Sequence, residues 1–132
     1  MSNRAQRALG TRLLGLEPNR AVLGIDRLAV ASGIDEWPNG VIAALCDHAC
    51  AIAALMRLDD PDRFVGSVGL RVEYIRASRG SAPLHVRAEC QHCTDAVAIV
   101  HAEAFHPDDP AVVVAVGRGT IAVSAETWGR TS

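Results

Sequence analysis

The chain has 132 residues and a mass of 14.0 kDa, which is one domain by length. It is 49% apolar and 21% charged, and a net charge of −2 with a pI near 6.2 excludes the basic stripe of a nucleic-acid binder. No uncharged apolar run reaches the roughly 18 residues of a membrane span, and Arg4, Arg7 and Arg12 are spread among apolar residues, unlike a secretory signal.

Aromatic residues are 4% of the chain, so the core must be built from Ala, Val, Ile and Leu. All 13 basic residues are Arg, which removes lysine Schiff-base and lysine-nucleophile chemistry. With so many Ala and Val residues, this reads as the codon bias of a GC-rich bacterium.

Residues 3–15 read as a short amphipathic helix with Ala5, Leu9 and Leu13 on one side, ended by Gly15 and Pro18. Residues 20–33 alternate weakly and read as a first strand that bends or bulges. Trp37-Pro38-Asn39-Gly40 is a turn that opens a run from Val41 to Met56, apolar except for Asp47 and His48. That run is too long for one strand, and a helix apolar all round is expected to be buried all round. Asp59, Asp60, Pro61 and Asp62 stop it. Strands follow over 64–77, 83–105 (broken near Thr94-Asp95) and 111–124, with short turns between them that imply an antiparallel meander. The tail after Ser124 reads as loose, with Trp128 its one anchor.

Four cysteines stand at 46, 50, 90 and 93. The Cys90-Gln91-His92-Cys93 spacing invites a zinc or redox reading. On a regular strand, however, residues three apart point to opposite faces, so the two thiols are expected not to share a metal. Cys46 and Cys50, one helical turn apart, read as small hydrophobes. The expectation is four reduced thiols, no metal and a cytoplasmic setting. His85, His92, His101 and His106 show no ligand spacing either. Asp47 stands apart as an ionisable group within an apolar helix. Burial raises a carboxylate pKa unless the group is paired, and such a residue suits general-base or nucleophilic chemistry.

A sheet curled around one buried helix is the hotdog arrangement, and the motifs point the same way. Pro38-Asn39-Gly40-Val41-Ile42-Ala43-Ala44-Leu45-Cys46-Asp47-His48-Ala49 resembles the His-Gly-Gly-Val-x-x-x-Leu-x-Asp-x-Ala signature of hotdog acyl-CoA thioesterases, of the phenylacetate-pathway and 4-hydroxybenzoyl-CoA type. The strand from Ser67 to Ala77 is similar to the family's Leu-x-Val-x-Tyr-Leu-x-Pro-Ala strand, and Ala115 to Val123 to its closing strand. The resemblance spans about 20–124. It implies an α+β hotdog fold in which an antiparallel sheet wraps one long central helix, here with the short N-terminal helix added, as a single domain over 1–132.

By that resemblance Asp47 is the acid that assists water attack on a thioester, since Gly40 to Asp47 keeps the family's spacing. The backbone N–H of Asn39, beside Gly40, is the oxyanion donor at the helix start. Ser67 falls where one branch places a hydroxyl that helps hold the water. A second branch uses a Thr where this chain has Ala51. Two further positions differ: Pro38 stands where the family often has His, and Ser32 where it often has Asn or Gln. His48 adjoins the acid but diverges from it by about 100° on a helix, and reads as packing or interface. The implied substrate is a small or medium acyl- or aryl-CoA, with no separate cofactor and no metal. CoA contacts are expected from surface arginines such as Arg76, Arg79 or Arg118. No nucleic-acid or membrane partner is implied, and a homodimer or homotetramer with sites between protomers is. The alternative is a non-catalytic hotdog module that binds acyl-CoA or another apolar ligand. A hotdog hydratase would need an Asp-His pair in a different motif, which is absent here.

Overall fold

The computed structural model describes residues 11–26, 35–58 and 63–127. In chain order these form β1 (Thr11–Glu17), β2 (Arg20–Ile25), α1 (Asn39–Arg57), β3 (Arg63–Tyr74), β4 (Leu84–Cys93), β5 (Val97–His106) and β6 (Asp109–Thr127). The strands make one six-stranded sheet in the order β1-β2-β4-β5-β6-β3, antiparallel at every pairing. The helix lies across its inner face and touches all six strands. This is the hotdog architecture.

Alternation decides which side chains turn to the helix. In β4 Leu84, Val86, Ala88 and Cys90 are buried, while the residues between them are partly or fully exposed. Ala98, Val100, Ala102 and Ala104 of β5 repeat the pattern opposite them. The core is thus made of small aliphatic side chains, as the composition requires, with Trp37 the largest fully buried one. Small residues also set the height of the helix. Gly117 and Gly119 of β6 lie beneath Cys46 and Cys50, and a Cβ on Gly119 would stand 3.0 Å from the Cβ of Cys50.

Four expectations change. From Thr11 onward the segment read as an N-terminal helix is strand β1, with a bulge between Leu13 and Gly15. Residues 1–10, Ser32 and Trp128 lie outside the described residues. The simple meander holds only for β4-β5-β6, because β3 crosses over to pair with β6 and leaves β4 beside β2. The helix is not buried all round. Ile42, Leu45, Cys46, Ala49, Cys50, Ile52, Ala53 and Ala54 face the core, whereas Ala44 is exposed and Val41, Asp47, His48, Ala51 and Leu55 are half-buried on the other side. By length and composition α1 could cross a membrane, but its packed face is the centre of this core. Finally, Cys90 and Cys93 do not face opposite ways. The bulge between Cys90 and His92 resets the alternation, so Cys90 opposes Val100 and Cys93 opposes Ala98, both on the inner face.

Candidate active site at the open face of the central helix

The start of α1 is fixed from behind. The Trp37 backbone N–H donates to Ser78 Oγ at 2.8 Å, and its indole N–H donates to the Ala82 carbonyl at 2.9 Å. Gly80 N–H reaches the Asp35 carbonyl at 2.8 Å. Pro38 follows as the N-cap, with φ −59° and ψ 139°. Its carbonyl accepts from the N–H groups of Val41 and Ile42 at 3.0 and 3.2 Å. Proline has no side chain with which to cap, and the first turn carries no acidic residue. The N–H groups of Asn39 and Gly40, the first two of the helix, therefore have no intrahelical acceptor and lie at the positive end of its dipole. Both residues are exposed, and a Cβ added to Gly40 would meet nothing within 4 Å.

Asp47 lies two turns further along the same face. It is half-buried, and one carboxylate oxygen, Oδ1, accepts the Ser67 hydroxyl at 2.7 Å. Ser67 sits on β3 at a register shift that runs to Gly69, and Val68 between them projects at 69% exposure. The bulge brings the hydroxyl to the helix, while the pairing of β3 with β6 supplies the rigid support.

A second link joins the same two elements. The Tyr74 hydroxyl donates to the carbonyl of Asn39 at 2.8 Å. Burial, followed by the neighbouring Cys46, raises the Tyr74 pKa, so this phenol stays a donor throughout the neutral range. In the sequence Tyr74 is the tyrosine of the strand motif, seven after Ser67, and its tie to the helix start depends on the crossover of β3.

Asp47, Ser67, Asn39 and Gly40 are thus joined through two hydrogen bonds between α1 and β3. The remaining candidates are placed differently. Ala51 continues the open face as a half-buried residue, and His48 lies half-buried beside Asp47. Arg79 is held by Asp108 at 2.6 Å; that hydrogen bond, more than the nearby charges, raises its pKa. Arg118 pairs in register with Arg71 and His101 and projects from the outer side of the sheet, since its neighbours Gly117 and Gly119 face the helix. Among the described residues no cluster of three or more His, Cys, Asp or Glu side chains is arranged to hold a metal ion.

In chemical terms the arrangement offers a carboxylate with one oxygen engaged by a hydroxyl, and amide donors at the start of the helix that no intrahelical carbonyl uses. A polarised carbonyl at the donors and a water at the carboxylate are the two requirements of acyl transfer to water.

Comparison with known proteins bears on the family and the fold. The family model of the thioesterase superfamily matches residues 39–113, more than half of the chain. A search of the curated proteins finds no match. Among solved structures, the chain is similar to a Thermus thermophilus protein at 24% identity, over 92% of this chain and 98% of that one, with a TM-score of 0.77. It is similar to a thioesterase family protein from Silicibacter pomeroyi at 22% identity, over 92% and 89%, with a TM-score of 0.81. It is also similar to the E. coli PaaI protein from the phenylacetic acid degradation operon at 17% identity, over 96% and 88%, with a TM-score of 0.81.

Proposed function

Because the chain belongs to the thioesterase superfamily, we propose that it hydrolyses the thioester of a small or medium acyl- or aryl-CoA. The observation that carries this reading is the 2.7 Å hydrogen bond from Ser67 to Asp47. The Ser67 hydroxyl occupies one carboxylate oxygen of Asp47, and a water held between the other oxygen and the Ser67 lone pairs is the nucleophile. Asp47 takes the proton as that water attacks the thioester carbon. The oxygen that gains charge lies against the N–H groups of Asn39 and Gly40, where the helix dipole adds to the hydrogen bonds. The tetrahedral intermediate collapses with loss of the CoA thiolate, which regains a proton, and the carboxylic acid leaves. A PaaI protein from the phenylacetic acid degradation operon among the similar folds supports an aryl-acetyl group as the first to try.

The site works between two copies of the chain. Two features of one protomer support this. β3 is an edge strand with Val68 and Tyr74 exposed at 69 and 42%, Ile75 just past its end is 51% exposed, and the outer face of α1 is half-open along Val41, Ala44, Ala51 and Leu55. Edge strands of this kind require cover. A second chain laid along β3 forms a homodimer whose groove passes the Asn39 amides, and pairs of dimers make a tetramer. The four free cysteines fit a reducing, cytoplasmic setting.

One observation favours a module that binds acyl-CoA without cleaving it. Pro38 stands at the cap, so no side chain there can help polarise a carbonyl. Incubation with a panel of acyl-CoAs and a free-thiol readout separates the two readings. Thiol release above background establishes the hydrolase, and binding without release establishes the module. Sedimentation that gives a stable 14.0 kDa species at micromolar concentration removes the shared site.

A further inference from the structure

The Cys90-Gln91-His92-Cys93 run takes no part in the thioester chemistry, and the fold gives it a geometry of its own. Along β5 the partners of the two cysteines are Val100 and Ala98, with Ile99 between them opposite His92. Gln91 is the extra residue of the bulge. Residues opposed across a ladder point to the same side, and Val100 and Ala98 are both fully buried beneath the helix. The two thiols therefore lie side by side on the inner face.

Two positions along β5 are about 6.6 Å apart, so the cysteine Cα atoms sit near the upper end of the roughly 4.4–6.8 Å that a disulfide spans. Cys90 is 8% exposed and Cys93 is partly open. Each thiol donates to a carbonyl within this strand end, Cys90 to His92 at 3.4 Å and Cys93 to Thr94 at 3.6 Å. Burial raises the Cys90 pKa and the adjacent Cys93 thiol adds to the rise, whereas Arg57 at the end of α1 opposes it. The turn at 94–96 follows at once, so closing the bulge displaces only the end of a hairpin.

We propose that Cys90 and Cys93 form a reversible dithiol–disulfide pair, oxidised by low-molecular-weight disulfides of the glutathione type. Cys93, the more open thiol, loses its proton and attacks one sulfur of the small disulfide. The S–S bond breaks, one small thiol leaves with the proton, and Cys93 carries the other half as a mixed disulfide. Cys90 then gives up its proton and attacks the Cys93 sulfur, which expels the second small thiol. The protein loses two hydrogens, and one small disulfide is reduced to two thiols. Cys46 and Cys50, sealed at 0% exposure over Gly117 and Gly119, do not react.

The test equilibrates the full chain with oxidised glutathione, quenches in acid, counts thiols after unfolding and maps the bridge by mass spectrometry. Free thiols are expected to fall from four to two, with no glutathione retained and the bridge within the peptide that carries both residues. Dithiothreitol is expected to restore all four. Cys93→Ser, at the partly open position, is expected to keep its three remaining thiols, and Cys90→Ser to stop with one glutathione on Cys93. A wild-type chain that keeps four thiols, one that stops at a glutathione adduct, or a bridge that maps to Cys46 and Cys50 overturns the proposal.

Discussion

On the side of α1 that meets the sheet, a methyl group added to Gly119 would stand 3.0 Å from Cys50 Cβ and 3.1 Å from its sulfur, whereas one added to Gly40 on the far side would touch nothing within 4 Å. Both sides carry aliphatic residues, Ile42, Leu45 and Ile52 on the inner and Val41, Ala44, Ala51 and Leu55 on the outer, so hydrophobicity alone does not separate them. Packing and polarity do. The inner side holds the helix at a fixed height over two glycines and desolvates what it covers, so the Cys46 thiol is pushed up to about 12 by burial first and by Asp47 second. The outer side keeps Asp47 near solvent with Ser67 for a partner, and leaves the first amides of the helix open. The dense face makes the sparse one rigid, which positioned catalysis needs.

The strongest way to break this division is Asp47→Asn. Asn keeps the shape and much of the hydrogen bonding but cannot take a proton. Loss of a positioned base costs about 10²–10⁴-fold in rate. Stability should change by less than about 1–2 kcal/mol, because no cavity is made. Initial rates on an accepted acyl-CoA and thermal melts of the same variant decide it. A variant that hydrolyses at the wild-type rate ends the catalytic role of Asp47 and favours the binding module.

The next effect comes from the opposite face. Gly119→Ala should destabilise the fold by about 1–3 kcal/mol, since backbone and a buried cysteine must both give way. Gly117→Ala, whose Cβ would meet Cys46 at 3.3 Å, should cost less. Denaturant midpoints measure both. If Gly119→Ala is neutral, the helix is not held at the height described.

This division also marks what the residues alone could tell. The apolar run from Val41 to Met56 specified a helix, and α1 runs Asn39–Arg57. The spacings that single out Asp47 and Ser67 were legible too, and the fold brings their side chains together. β1 was not legible, for a physical reason. The register shift between Leu13 and Gly15 breaks the period of two, so Leu14, 41% exposed, follows Arg12 on the outer side while Leu16 comes opposite buried Ala21. Leu14 lies over Gly24 of β2, where a Cβ would come within 2.7 Å of its Cδ1, and this outward apolar contact erases the period-two pattern. The bulge at Gln91 was equally silent, because nothing in Cys-Gln-His-Cys marks an extra residue. It reversed the facing of Cys93. The tie from Tyr74 to Asn39 depends on β3 leaving its neighbour in sequence for β6, a long-range pairing that local spacing does not encode.

A pH scan sharpens the comparison further. The folded-state pKa values of Cys46 and Cys50 are raised from 9.0 to about 12, largely by burial. The unfolded chain therefore releases those protons first. The stabilisation is fully present below about pH 9 and is lost as pH rises toward 12. By pH 10 each thiol should cost about 1 kcal/mol. Melts from pH 8 to 10 should show the decline, and Cys46→Ala should flatten it. An unchanged slope in that variant would place the alkaline sensitivity elsewhere.

The smallest effect probes the open face at its most exposed point. Gly40→Ala removes backbone freedom from the unfolded chain in the first turn of a helix, where nothing obstructs the new methyl group within one protomer. The gain should be about 0.5 kcal/mol, a rise of about 1–3 °C in melting temperature for a chain of this size. The amide N–H survives the change, so kcat should be nearly kept. The methyl group stands where a thioester must approach the Asn39 and Gly40 donors, so KM should rise. Stabilisation with a raised KM places substrate at this helix end, because a methyl group in open solvent has no reason to hinder binding. Stabilisation with KM unchanged moves the thioester away from Gly40 and leaves the Asn39 N–H as the donor. A loss of stability means that position 40 is covered in the assembled protein. The empty space seen in one protomer is then filled by the second copy, and the groove is narrower at this end than a single chain implies.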